Sequence, residues 1–148
     1  MKILIRGYII LVSLLSYSGI LMAYEGACYC GKIKFKTIGE PIFTQYCHCH
    51  KCREIASQSS NKVDKAGFSH TAAYLAKNFK IVCGQEFINV IVRNNSNLIC
   101  CKMCKSLIYG MSQDLKNQSG IGLNVNNFIF LGELPASFKS DKHIWYQE

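Results

Sequence analysis

Residues 28–38 read CYCGKIKFKTI, and two patterns meet in them. Cys28-Tyr29-Cys30 is a C-x-C pair. An extended backbone turns residues i and i+2 to one side, so both sulfurs can reach the same ion. After Gly31, Lys32 to Ile38 alternates charged and apolar residues, the period of a strand with one buried face. A ligand pair on a first strand calls for a second pair, and Cys101-Lys102-Met103-Cys104 supplies one as C-x-x-C. Four thiolates from Cys28, Cys30, Cys101 and Cys104 make a tetrahedral zinc site that staples the first strand to a late hairpin. Disulfides inside such short pairs are strained, because near neighbours rarely meet the required Cα spacing and dihedral. The competing reading is that these pairs are disulfides or merely buried thiols.

Working outward, the chain is mainly β with long loops. IFTQYC (42–47) reads as a strand running into more cysteines. FKIVCG (79–84) and FINVIVRN (87–94) read as two strands of a hairpin turning at Gly84-Gln85-Glu86. NLICCKMCKSLIYGM (97–111) begins and ends as strand around a cysteine turn. NVNNFIFLGELP (124–135) gives a further strand and turn, and KHIWYQE (142–148) a final strand. Residues 54–66 are polar and weakly patterned and read as loop. Residues 71–80 read as a short helix or a loop leading into a strand. Helical periodicity is poor throughout, and no repeat divides the chain.

The densest chemistry lies at Tyr46 to Arg53, YCHCHKCR. Cys47, Cys49 and Cys52 offer three ligands and leave a fourth position for water, a substrate, His48 or His50. An open position is what a catalytic zinc keeps. Three thiolates on Zn²⁺ leave a formal charge of about −1, which makes the ion a weak activator of water. It is better suited to holding a fourth thiolate, so the set points to thiol chemistry rather than hydrolysis. If a histidine completes the set, the site is instead a second closed structural one.

Nine cysteines in 148 residues exceed ordinary usage, and the odd count leaves one thiol over from any full set of disulfides. Cys83 and Cys100 stand outside the short-spaced groups; Cys100 reads as a core residue. The net charge of +8 is scattered rather than concentrated, which favours anionic ligands in general. Few aromatics sit among the lysines and no recognition helix is visible, so nucleic acid is an unfavoured partner.

Residues 1–23 form a hydrophobic leader, and 24–148 a single domain. Lys2 and Arg6 precede an uncharged run from Gly7 to Tyr24. That is the pattern of a secretory signal, and it also sits at the lower length limit of a membrane span. It would make the protein exported or membrane-anchored, with membrane contact through residues 1–23 alone. A start at Met22 would make it cytoplasmic, which suits reduced cysteine clusters better. Both readings stand.

Taken together, YEGACYCGKIKF (24–35), YCHCHKCR (46–53), ICCKMCKSLIY (99–109) and HIWY (143–146) resemble the glutathione-dependent formaldehyde-activating enzyme family, the CENP-V/GFA domain. The resemblance covers about residues 22 to 146 and implies a zinc-bound, antiparallel β-tent or sandwich of short strands. It implies a structural zinc on Cys28, Cys30, Cys101 and Cys104, and a second, catalytic or transient zinc on Cys47, Cys49 and Cys52. The implied activity is that of a carbon–sulfur lyase joining formaldehyde to glutathione, or the reverse, with a small thiol and an aldehyde as partners. His48 is implied as a loop-orienting or proton-shuttling residue. Arg53, with Lys51 or Lys105, would attract the tripeptide's carboxylates. The sequence departs from the family pattern at Lys105, where glycine would relieve backbone strain. It also lacks the glycine expected after Arg53. The rival function is a non-enzymatic zinc module that binds protein or nucleic acid through its basic surface. Oligomeric state is not legible.

Overall fold

The computed structural model describes residues 21–62, 67–112 and 120–145. The expectations for the leader up to residue 20, for residues 63–66 and for Tyr146 lie outside these residues. Among the described residues, eleven strands and one α-helix appear in the order β1 (Ala23–Ala27), β2 (Lys34–Ile38), β3 (Phe43–Cys47), α1 (His50–Gln58), β4 (Ser69–Leu75), β5 (Phe79–Cys83), β6 (Ile88–Arg93), β7 (Ser96–Cys101), β8 (Leu107–Ser112), β9 (Gly120–Asn124), β10 (Phe128–Ile129) and β11 (His143–Ile144). They form a four-stranded sheet, β10-β1-β2-β5, and a seven-stranded sheet, β11-β3-β4-β9-β8-β7-β6. The fold is mainly β, as the sequence implies. Among the described residues, every strand pair is antiparallel except β11 with β3, which is parallel.

Period two does the sorting. In β2, Phe35 and Thr37 are buried while Lys34, Lys36 and Ile38 face out, and β1 buries Tyr24 in the same way. The inward residues meet Ala72, Tyr74, Ile121 and Leu123 of the larger sheet. Aromatic rings fill the space edge to face: Phe35 on Phe128 at 5.2 Å, Tyr24 on Phe138 at 4.9 Å, Phe128 on Phe138 at 5.0 Å between centroids. The opposite face of β4, carrying Ser69, Thr71 and Ala73, looks away from this core. Buried Ile55 and Ala56 of α1 sit over its cysteine end, closing a small cavity with Ser69, Leu107 and Asn124. Glu54 of α1 is tied to Arg93 at the end of β6 by a 3.1 Å ion pair.

Three expectations need correction. The stretch 54–66 is not all loop, because α1 runs to Gln58. Its register rests on a cap and two buried side chains, too little to show as periodicity. Residues 71–80 hold most of β4, a central strand of the larger sheet. The strands β5 and β6 are not a hairpin, since they belong to different sheets. Gly84 makes the crossing at φ 86, and a Cβ there would collide with the Lys32 carbonyl, so only glycine fits.

Candidate metal centres and thiol site

The first cysteine cluster joins the two sheets. Cys28 follows β1 of the smaller sheet, and Cys101 ends β7 of the larger one. Two tight turns bring the second sulfur of each pair back. Gly31 N donates to Cys28 O at 2.8 Å, and Lys105 N donates to Cys101 O at 3.0 Å. Both turns leave through left-handed backbone, at φ 74 for Gly31 and φ 60 for Lys105. The lysine thus adopts left-handed backbone, the conformation that favours glycine.

The sulfurs of Cys28, Cys30, Cys101 and Cys104 all lie within 4.8 Å of one another, with Cys28–Cys30 at 3.5 Å and Cys30–Cys101 at 3.7 Å. A tetrahedral site with zinc–sulfur bonds of about 2.3 Å has sulfur–sulfur edges of about 3.8 Å. The spacing therefore fits zinc. Around the sulfurs, Ile33 N donates to Cys28 Sγ at 3.3 Å, and Ser106 Oγ lies 3.3 Å from Cys104 Sγ. Burial pushes the Cys28 thiol up to about 12. Burial opposes ionisation of Cys104 too, but hydrogen bonds from the Ser106 hydroxyl and backbone and from the Cys30 backbone outweigh it and bring the thiol down to about 6. Four sulfurs this close cannot carry four negative charges alone, and a divalent cation at their centre offsets the repulsion.

The second cluster stands where β3 becomes α1. Cys47 ends the strand, and Cys49 is the helix N-cap, its Sγ accepting from Cys52 N at 3.4 Å. The sulfurs of Cys47, Cys49 and Cys52 lie within 4.8 Å of one another. Among the described residues, no fourth ligating side chain, His48 and His50 included, joins that group. The donors fit a metal ion with a position left open. Burial raises the Cys47 thiol and, more strongly, that of Cys52, which the neighbouring sulfurs raise further. Burial works against Cys49 as well, but hydrogen bonds from the Cys52 backbone and side chain hold it below the ordinary range. A thiol at a helix N-terminus is favoured as thiolate for the same reason.

His48 lies outside the three-sulfur group. Its Nε2 lies 2.8 Å from His143 Nδ1, with the rings stacked at 5.1 Å. The backbone sets this meeting: His143 is aligned with Tyr46 across the parallel β11–β3 pair, and His48 N donates to Ile144 O at 3.0 Å. Desolvation, then the charges of His143 and Arg53, hold His48 below its ordinary pKa. Tyr46 is sandwiched between His143 at 4.9 Å and His70 at 4.3 Å. Cys49, His50, Lys51 and Trp145 line an opening of about 310 Å³. Trp145 stands there in left-handed backbone at φ 55, its ring exposed.

Not every candidate converges. Lys105 belongs to the four-cysteine turn, not to the triplet. Cys100 is buried outside both sulfur groups, and burial raises its thiol to about 11. Cys83 is exposed on the edge strand β5. The sequence reading missed His143, Trp145 and Ser106 as site residues; the late HIW was the available signal for the first two.

Three comparisons with known proteins bear on this geometry. The family model described as glutathione-dependent formaldehyde-activating enzyme matches residues 23–148. No curated protein matches. A crystal structure of a Rhodobacter sphaeroides protein superposes with a TM-score of 0.54 at 18% identity, covering 80% of this chain and 98% of that one, which supports the fold.

Proposed function

The chain belongs to the glutathione-dependent formaldehyde-activating enzyme family, and from that membership we propose that it is a carbon–sulfur lyase forming or cleaving S-hydroxymethylglutathione or a related thiol adduct. The observation that carries this reading is the open three-sulfur group of Cys47, Cys49 and Cys52 beside a cationic opening. Zinc on these thiolates, when bound, supplies a position at which a substrate thiol is favoured as thiolate. In the proposed reading this zinc is additional to one on Cys28, Cys30, Cys101 and Cys104.

The chain's own residues then divide the work. Lys51, lining the opening of about 310 Å³, and Arg53, one helical residue beyond Cys52, attract the carboxylates of the tripeptide. Trp145 lines the same opening and offers the bound tripeptide an apolar ring. The reaction forms a sulfur–carbon bond while the carbonyl π pair moves to oxygen, which takes a proton. His48 Nε2 and His143 Nδ1 share a hydrogen bond at 2.8 Å, and this pair holds and returns that proton. Cleavage runs the same path backwards.

The test is adduct formation from glutathione and formaldehyde, followed by NMR exchange with zinc-loaded protein. Acceleration above the uncatalysed rate, lost in a Cys49→Ser/Cys52→Ser variant, is the expected result. An unaltered rate with metal content verified would remove the lyase reading.

A further inference from the structure

Beside the thiol site lies a second, larger opening of different chemistry. It holds about 460 Å³ on the outer face of the seven-stranded sheet. Ala73, Gly110 and Gly122 make its floor, and Phe43, Gln45 and Met111 stand around it. None of the described residues lining it carries a charge. At its rim, Lys142 Nζ lies 5.2 Å from the Phe43 ring centroid.

The groove starts two residues along β3 and β4 from the cysteine triplet, at Gln45 and Thr71. Cys47 pairs with Ser69 across β3 and β4, and Gln45 pairs with Thr71 one step along the same face. Residues two apart on a strand are separated by about 7 Å, so the groove begins one side chain from Cys47. Ser69 Oγ and Thr71 Oγ1 lie 3.3 Å apart and bridge the step. Ser69 also borders the small cavity that includes Cys52.

The triplet therefore sits between two openings. The one lined by Cys49, His50, Lys51 and Trp145 carries a lysine, and the described lining of the one over Ala73 and Gly122 is uncharged. Glutathione has carboxylates at both ends of its chain, and a carboxylate in an uncharged groove loses hydration without a partner. Formaldehyde has a single carbon and leaves the groove unfilled. Resting on the thiol-site reading above, we infer that the groove binds the uncharged carbon chain of an aldehyde larger than formaldehyde. The preferred adduct then carries an alkyl or aryl substituent on the carbon bonded to sulfur. The step balances as before: thiol and aldehyde combine, the sulfur–carbon bond forms, and the thiol proton ends on the adduct oxygen.

The probes are S-hexylglutathione and S-methylglutathione, titrated calorimetrically into the zinc-loaded full chain. The hexyl compound should bind about tenfold tighter or more, from burial of the extra methylenes. Ala73→Leu, which fills the floor, should cut that preference to under about twofold while leaving S-methylglutathione binding unchanged. Ile42→Glu adds a charge at the mouth, where Ile42 is 61% exposed, and should weaken the hexyl compound without burdening the fold. Equal affinities in the wild-type protein, no binding of either compound, or a preference that survives both variants would overturn the inference. The formaldehyde–glutathione assay separates the two readings. Its failure alongside an intact hexyl preference removes the lyase reaction and leaves the groove.

Discussion

His48 and His143 are 95 residues apart in sequence, yet their facing ring nitrogens lie 2.8 Å apart. The two-residue strand β11 creates this contact by running parallel to β3, so that the loop carrying His48 and the strand carrying His143 are held by the same backbone bonds. Neither ring enters the three-sulfur group. The pair stands beside the three-sulfur group without joining it, so its nitrogens stay available to handle a proton.

Removing His143 should therefore slow chemistry without emptying the site. His143→Ala is expected to lower kcat for adduct formation by about a hundredfold, with a smaller change in KM for glutathione. Zinc per chain should equal that of the wild-type protein. His143→Gln, which keeps a hydrogen-bonding group near Nδ1, should recover part of the rate. A variant with unchanged kcat would show that the pair only braces the loop.

Lys105 holds left-handed backbone at φ 60 immediately after Cys104. That conformation costs a residue with a Cβ about 1–2 kcal/mol, while glycine loses part of the gain through its larger freedom when unfolded. Lys105→Gly should raise stability by about 0.5–1 kcal/mol in urea melts with zinc content unchanged. Lys105→Val should lower it, because a β-branched side chain fits that region worst. A glycine variant that melts earlier would mean that the lysine side chain contributes more than its backbone costs.

What the sequence revealed follows from how local each signal is. The alternation of β2 and the spacing of the two cysteine groups are properties of a few adjacent residues, and both were legible. The helix α1 was not, because it buries only Ile55 and Ala56 and starts from a cysteine cap rather than a serine or aspartate. The strand β9 reads GIGLN, and its two glycines carry no strand preference; it is a strand because β4 and β8 flank it. The supposed β5–β6 hairpin failed because a glycine turn between two strand patterns looks the same whether the chain reverses or changes sheet. His143 was hidden for a related reason: its partner is fixed by a parallel pairing that no local pattern announces.

The two cysteine groups should respond differently to substitution. Cys101→Ser removes a ligand from the site that joins the sheets, and structural zinc sites contribute folding free energy outright. That variant is expected to unfold under conditions where the wild-type protein is stable. Cys47→Ser/Cys49→Ser should keep the fold, losing about 1 kcal/mol with the helix cap, while zinc per chain falls by one. Circular dichroism melts with metal analysis decide the matter. Equal destabilisation of both variants would make the triplet a second structural site.

The last prediction concerns acid stability and a residue outside both clusters. His70 lies in β4 and is 6% exposed, with Nε2 buried and unpartnered. Burial lowers its pKa from the ordinary 6.5, and a hydrogen bond to the Phe138 backbone opposes this only in part. The unfolded chain therefore binds this proton at higher pH than the folded one does. By linkage, the stability that the neutral ring provides is fully present above about pH 6.5 and is lost as pH falls from there toward the lowered folded value. Cysteine protonation also weakens metal binding in acid, so the comparison must cancel it. Urea unfolding of wild-type protein and His70→Gln, from pH 7.5 downward in buffered zinc, does so because every cysteine is shared. The wild-type protein should lose stability more steeply across this window, and the two curves should converge as pH falls. Curves that stay parallel would show that His70 is charged as easily in the folded protein as in the unfolded chain.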